Sequence, residues 1–146
     1  QGVLFRFYKS VIMKEVVALE AATNEIENWL DFHKVTPNQK ESFKDSIATL
    51  IEGIQYGMLT LKDNAFQQTL LMPFGDEEKI AVVNYKQRIT YFELEEKMKG
   101  VSVSDGAGRV IATLAALTGQ PKQILKLMDK ADKRIANSIV VFFLET

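Results

Sequence analysis

Cysteine is absent from the 146 residues of this chain, and histidine occurs only once, as His33. Without cysteine the chain has no disulfide framework, no thiolate nucleophile and no cysteine-ligated zinc. Glu27 and Asp31 are close to His33 in the sequence, but one histidine and scattered carboxylates do not give a recognisable metal-ligand spacing. We expect His33 to interact with the carbonyl end of its own helix, and we predict neither a metal site nor a cofactor.

Long apolar runs and blocks of one charge are also lacking. Lysine and arginine total 18 against 19 acidic residues, so the net charge is -1, and the clustered cations of a nucleic-acid-binding protein are not evident. The longest apolar run, 110–117 with Thr113 inside it, is far shorter than the ~20 residues that span a bilayer. Residues 1–9 lack the features of a secretory signal, and Met13 is a candidate internal start. We therefore predict no nucleic-acid or membrane partner.

The first third of the chain has apolar residues at spacings of three and four, which place them on one stripe of a helix. This pattern predicts a long helix from Met13 to Phe32 and a second helix after Pro37, where Thr36 and Gln39 form a capping-box sequence. Because a short link joins the two helices, we predict a helical hairpin. We assign residues 1–56 to this hairpin, as an extension of the main domain.

After Gly57 the apolar period changes to about two, which is typical of strands. We predict three strands, at 58–62, 66–72 and 79–85, with a turn cluster at 73–78. Capped helices follow, and their starts are marked by Thr90, Ser104-Asp105 and Asp129. The sequence therefore predicts an α+β, predominantly helical fold, in which residues 57–146 form a small antiparallel sheet and a C-terminal bundle of short helices. At 47% apolar residues, a chain of this size can bury one core.

Two patterns suggest chemistry, and neither meets its requirements. The segment Gly106-Ala107-Gly108-Arg109 lacks the third glycine of a dinucleotide site and the lysine of a triphosphate loop, so we predict an ordinary helix start. Carboxylates that could form an acid–base pair are Asp129, Asp132, Glu93, Glu95 and Glu96. We expect them on lysine-rich, solvated helix faces and at helix caps. We predict that the protein is not an enzyme and has no catalytic residues.

Apolar stripes are the remaining candidates for function. Residues 139–144 are apolar all round a helix, which favours burial in the core but also suits a surface that binds a partner helix or another subunit. The stripe on the N-terminal hairpin leaves the same two alternatives. We predict that the chain self-associates and that its partner-binding residues are Trp29, Leu30, Phe43, Ile47, Ile51, Val140, Phe142 and Phe143.

The second part of the chain carries a series of features in a fixed order. An apolar strand start is followed by a proline-containing run, a helix, an apolar helix closed by Leu-Thr-Gly, an Asp-x-x-Asp cap and a final apolar segment. The residues are Leu59-Thr60-Leu61, Met72-Pro73, Ile89-Thr90, Glu93-Leu94, 111–117, Thr118-Gly119, Leu127, Asp129, Asp132 and 141–144. Over about residues 57–146 the chain resembles the tail assembly chaperones of long-tailed bacteriophages, prophages and Mu-like phages.

This resemblance implies a non-enzymatic chaperone in the cytoplasm of the bacterial host. Such a protein would bind the long, largely helical tape measure protein and keep it soluble until tail tube subunits polymerise around it and displace the chaperone. The tape measure protein is therefore the expected partner, and the tail tube protein is a possible second one. The alternative is a structural component of the virion or prophage tail, such as a completion or connector protein, in which the same apolar faces are permanent subunit interfaces.

Overall fold

A computed structural model describes residues 13–75 and 77–144. The prediction that residues 1–9 carry no secretory signal lies outside these residues. In the described part of the chain there are seven helices: α1 Leu19–Phe32, α2 Pro37–Ser42, α3 Lys44–Gln55, α4 Tyr91–Met98, α5 Gly106–Thr118, α6 Lys122–Leu125 and α7 Lys130–Val140. The strands are β1 Leu59–Lys62, β2 Ala65–Phe74 and β3 Ile80–Asn84, and they form one antiparallel sheet in the order β1-β2-β3. The predicted α+β, mainly helical fold is confirmed.

The first helix is shorter than the sequence predicts, because α1 begins at Leu19 and not at Met13. The backbone N–H groups of Val16 and Val17 donate hydrogen bonds to the carbonyl oxygen of Gln55, at 2.8 and 3.1 Å. These two amides satisfy a carbonyl at the end of α3 that has no partner within its own helix. The segment before α1 is therefore held across the end of α3.

The predicted capping box at the second helix is confirmed. The Thr36 hydroxyl accepts from the Gln39 N–H, the Gln39 side chain accepts from the Thr36 N–H, and Pro37 occupies the first turn. The helix is not continuous, however, because the backbone at Phe43 departs from helical geometry and separates α2 from α3. The second arm of the predicted hairpin is therefore two helices.

The sheet is close to the prediction at its first turn and departs from it at the second. Asp63 and Asn64 both have positive φ, as the two-residue turn of a tight hairpin requires, and they join β1 directly to β2. Strand β2 does not stop at Met72, since it continues through Pro73 to Phe74. The pairing of β2 with β3 is regular up to Thr69 and then shifts before Phe74.

The C-terminal helices begin where their capping residues predicted. Asp105 accepts from the Gly108 N–H at the start of α5, and Asp129 accepts from the Ala131 N–H at the start of α7. Only half of the predicted box at Thr90 forms, because the Glu93 carboxylate pairs with Lys86 instead. Residues 139–144 are not one helix, since α7 ends at Val140 and 141–143 form a turn.

One hydrophobic cluster draws side chains from both sides of the predicted boundary at 56/57. Residues of α1 and α3 share it with the sheet, α5 and α7, and α3 packs on α1, β1 and α7. Buried members include Ile26, Leu50, Phe66, Leu117 and Ile139. The predicted N-terminal extension thus contributes to the same core as the rest of the described chain. No helix among the described residues has the length and apolar character needed to cross a bilayer.

Candidate partner-binding surface

The structure places the eight residues predicted to bind a partner in two different environments. Trp29, Leu30 and Val140 are buried, so their side chains belong to the core and are not on the surface of the monomer. The other five are only partly exposed: Ile47, Ile51, Phe142 and Phe143 pack against the core, and Phe43 packs against Phe142. The sequence could not separate these two groups, because both have the same helical spacing.

Trp29 is the centre of an aromatic cluster at the end of the chain. Its ring lies 5.4 Å from that of Phe142 and 6.2 Å from that of Phe143, measured between centroids. Phe43, at the break between α2 and α3, packs edge-on against Phe142 at 5.2 Å. Such edge-to-face pairs contribute more stability than the burial of their apolar area alone would give. The turn after α7 therefore closes the core over Trp29, and its own rings are only partly exposed.

His33 does not have the role that the sequence predicts for it. Its ring lies among the rings of Trp29, Phe32 and Phe143, and burial together with the positive charge of Arg88 lowers the pKa of His33 to about 4. Arg88 itself donates to the Phe32 carbonyl at the end of α1, at 3.2 Å, and stacks on the Phe32 ring. The cation at the carbonyl end of α1 is thus Arg88, and His33 is a neutral aromatic residue at pH 7.

An open groove of about 790 Å³ runs between the first turns of α7, the end of α3 and the middle of β2. We call it the α7 groove. Five apolar side chains line it, and they come from four separate segments: Met13, Met58, Leu71, and Ala131 with Ile135. Charged side chains form its rim, where Arg134 and Glu52 make a salt bridge at 3.3 Å. The groove is therefore apolar along its floor and charged along its edges.

The position of Leu71 in this groove depends on Asp132. Asp132 is buried, and its two carboxylate oxygens accept hydrogen bonds from the backbone N–H groups of Leu71 at 2.8 Å and Met72 at 3.0 Å. Because β2 shifts its register between Thr69 and Phe74, these two amides are turned toward α7. Asp132 also lies in the first turn of α7, where the helix dipole favours a negative charge. The sequence prediction that Asp132 is solvated is wrong.

A network of buried hydrogen bonds extends from Asp132 to Tyr85. The Gln68 side-chain amide donates to the backbone oxygen of Asp132 at 2.9 Å, and the Tyr85 hydroxyl donates to the Gln68 side-chain oxygen at 2.7 Å. Burial, and secondarily the negative charge of Asp132, raises the pKa of Tyr85 well above its usual value. The Asp132, Gln68 and Tyr85 side chains all have hydrogen-bond partners. This network therefore fixes α7 to β2 and β3 and leaves none of its own polar groups unpaired.

The remaining patterns have structural roles. Gly108 allows the Asp105 cap, since a Cβ at this position would overlap the Asp105 carboxylate. Glu93 and Glu96 form salt bridges with Lys86 and Lys99, and Glu95 is exposed. Among the described residues, no group of three or more histidine or acidic side chains is placed to hold a metal ion.

Sequence reasoning missed the α7 groove and the buried contact of Asp132. A carboxylate three residues into a helix is typical of a solvated first turn, and nothing in the local sequence distinguishes Asp132 from such a residue. Comparison of the chain with protein-family models, with curated proteins and with solved structures found no match.

Proposed function

We propose that this protein is a non-enzymatic assembly chaperone that holds an amphipathic helix of a partner protein in the α7 groove. Following the resemblance, we propose that the partner is the tape measure protein of a phage tail, bound in the host cytoplasm until tail tube protein displaces the chaperone. The observation that carries the proposal is the groove itself, which is open, apolar along its floor and lined by residues of α3, β2 and α7.

The side chains of the groove suit a helical partner. Met13 is partly exposed in the groove, and methionine side chains are flexible and polarisable, so they adapt to apolar residues of different shapes. Leu71 is 41% exposed although it is held by its backbone, so its side chain is available for contact. An amphipathic helix presents apolar side chains every three or four residues, and an open apolar groove accepts them.

A tape measure protein is long, and many copies of a chaperone could line it. Each copy would bury one short stretch of apolar surface, so each individual contact can be weak. Linked sites on one long partner raise the effective concentration, and the whole assembly is then much more stable than one contact. Copies could still leave one at a time as tail tube protein polymerises, which is what a removable coat requires.

Co-expression of a fragment of the tape measure protein with this chain tests the proposal. We expect the chain to keep the fragment in the soluble fraction and to co-purify with it. Leu71→Gln should reduce the soluble fraction toward the level without the chaperone, because a polar side chain then lies in the groove. Val82→Gln is the matched control, since Val82 is also on the sheet, is 39% exposed and does not line the groove.

Three results would contradict the proposal. The first is a fragment that stays insoluble with the wild-type chain. The second is the presence of this protein, in stoichiometric amounts, in purified tail particles, because a permanent subunit is not a removable chaperone. The third is a Leu71→Gln variant that solubilises the fragment as well as Val82→Gln does, because the binding site then lies outside the α7 groove.

A further inference from the structure

Positive charge is concentrated between α6 and the middle of α7. This stretch, 122–134, contains five cations: Lys122, Lys126, Lys130, Lys133 and Arg134. Its two carboxylates do not balance them at the surface, because Asp132 is buried against β2 and Asp129 caps the Ala131 N–H. Arg134 is paired with Glu52. In the described part of the chain, no carboxylate lies within salt-bridge distance of the four lysines, which we call the α6–α7 lysine surface.

These lysines lie beside the α7 groove. Lys130 and Lys133 line the groove itself. Lys133 also lines a neighbouring depression of about 430 Å³, together with Lys122 and Lys126, and Ile111 contributes to its apolar part. Because Lys133 belongs to both, the apolar groove and the lysine surface are continuous.

Helix stability does not account for the two lysines of α7. Lys130 and Lys133 lie near the start of that helix, where the N-terminal end of the dipole is positive and acidic side chains are favoured. Cations at these positions cost a little stability, and among the described residues neither lysine forms a salt bridge. Their arrangement is therefore better explained by a partner of opposite charge.

We propose that the α6–α7 lysine surface selects a partner helix that carries carboxylates along one edge of its apolar stripe. The apolar side chains lie in the α7 groove, and the carboxylates pair with the lysines. This inference rests on the proposed function and adds the chemistry of the partner. A peptide of this kind fits better than a nucleic acid, because the surface adjoins an apolar groove and its depression also contains the Asp105 carboxylate.

Three synthetic peptides test the inference by fluorescence anisotropy. Each is an amphipathic helix of about 18 residues, or five turns, with the same leucine stripe, and only the flanking residues differ: glutamate, glutamine or lysine. We expect the glutamate peptide to bind about tenfold more tightly than the glutamine peptide, and the lysine peptide to bind least. Raising the salt concentration should remove most of this difference.

A charge-reversal variant and a matched control locate the effect. K126E/K130E/K133E should reverse the order of the glutamate and lysine peptides. K34E/K62E/K79E changes the net charge equally, at three exposed lysines that do not line the groove or the depression, and should keep the wild-type order. A urea unfolding curve for each variant shows that it is folded before its affinity is compared.

The inference is overturned if the three peptides bind equally, if none of them binds, or if K126E/K130E/K133E keeps the wild-type order. It is also overturned if an oligo-dT strand of about 20 nucleotides binds the lysine surface more tightly than the glutamate peptide. None of these results decides the proposed function, which depends on solubilisation of the tape measure fragment. If K126E/K130E/K133E solubilises that fragment as well as the wild-type chain does, the proposed selection of an acidic helix is rejected and the proposed chaperone function stands.

Discussion

The carboxylate of Asp132 accepts a 2.8 Å hydrogen bond from the backbone N–H of Leu71, although 61 residues separate them in the sequence. This contact joins the first turn of α7 to the point where β2 leaves its regular pairing with β3. It sets the wall of the α7 groove, since the Leu71 side chain points out from the backbone that Asp132 holds.

Asp132→Asn should lower the free energy of unfolding by about 2 to 4 kcal/mol, because a side-chain NH₂ would then face one of the two backbone N–H groups. Asp129→Asn is the control, because asparagine caps a helix as well as aspartate does and the change should be within about 0.5 kcal/mol. Urea denaturation gives both values. If the two variants have the same midpoint, Asp132 does not hold β2 in solution.

The pH dependence of stability should contain a contribution from His33. Its pKa is about 4 in the native state and 6.5 in the unfolded chain, so between these values the unfolded state binds a proton that the native state does not. The contribution of His33 to the free energy of unfolding should therefore be complete above pH 6.5 and should be lost as the pH is lowered toward 4. Because the ring is partly exposed, solvent screening reduces the loss to about 1 to 2 kcal/mol.

His33 is the one histidine of the chain, so its NMR titration can be assigned directly. We expect a midpoint near 4, and a rise in that midpoint in Arg88→Gln because a nearby positive charge is removed. In His33→Phe, the free energy of unfolding should fall less between pH 6.5 and 4 than it does in the wild-type chain, because the contribution of His33 is removed. A wild-type midpoint near 6.5 would show that His33 is solvated.

Two glycines in the first turn of α5 should respond differently to alanine. At Gly106 an added Cβ meets no atom within 4 Å. Gly106→Ala should therefore stabilise the protein by about 0.5 to 1 kcal/mol, because alanine reduces the conformational entropy of the unfolded chain. At Gly108 the Cβ would overlap the Asp105 carboxylate, so Gly108→Ala should lose the cap, at a cost of about 1 kcal/mol. Thermal unfolding compares the two, and a gain in Gly108→Ala equal to that in Gly106→Ala would contradict this account.

A chain that begins at Gly57 should not fold by itself. Without α1 and α3 it lacks Trp29, Leu30 and Leu50, which are buried in the same cluster as the sheet and α7. We expect this fragment to lack the cooperative urea transition of the full chain. A sharp transition in the fragment would show that residues 57–146 fold without the N-terminal hairpin.

Local sequence determined the elements of this fold. The capping residues Thr36, Asp105 and Asp129, and the turn at Asp63-Asn64, are where the sequence places them, because each acts through hydrogen bonds or dihedral angles within a few residues. Periodicity likewise separates helices from strands, since it is a property of neighbouring residues. The α+β class follows from the order of these elements.

Only the tertiary structure decided which residues meet. The sequence predicted Asp132 to be solvated and Trp29 to bind a partner, but β2 buries the first and the turn after α7 covers the second. The four lysines of 122–133 are close together in the sequence, but only the structure places them beside the groove. Burial depends on contacts between distant segments, and such contacts leave no periodic signal in the sequence.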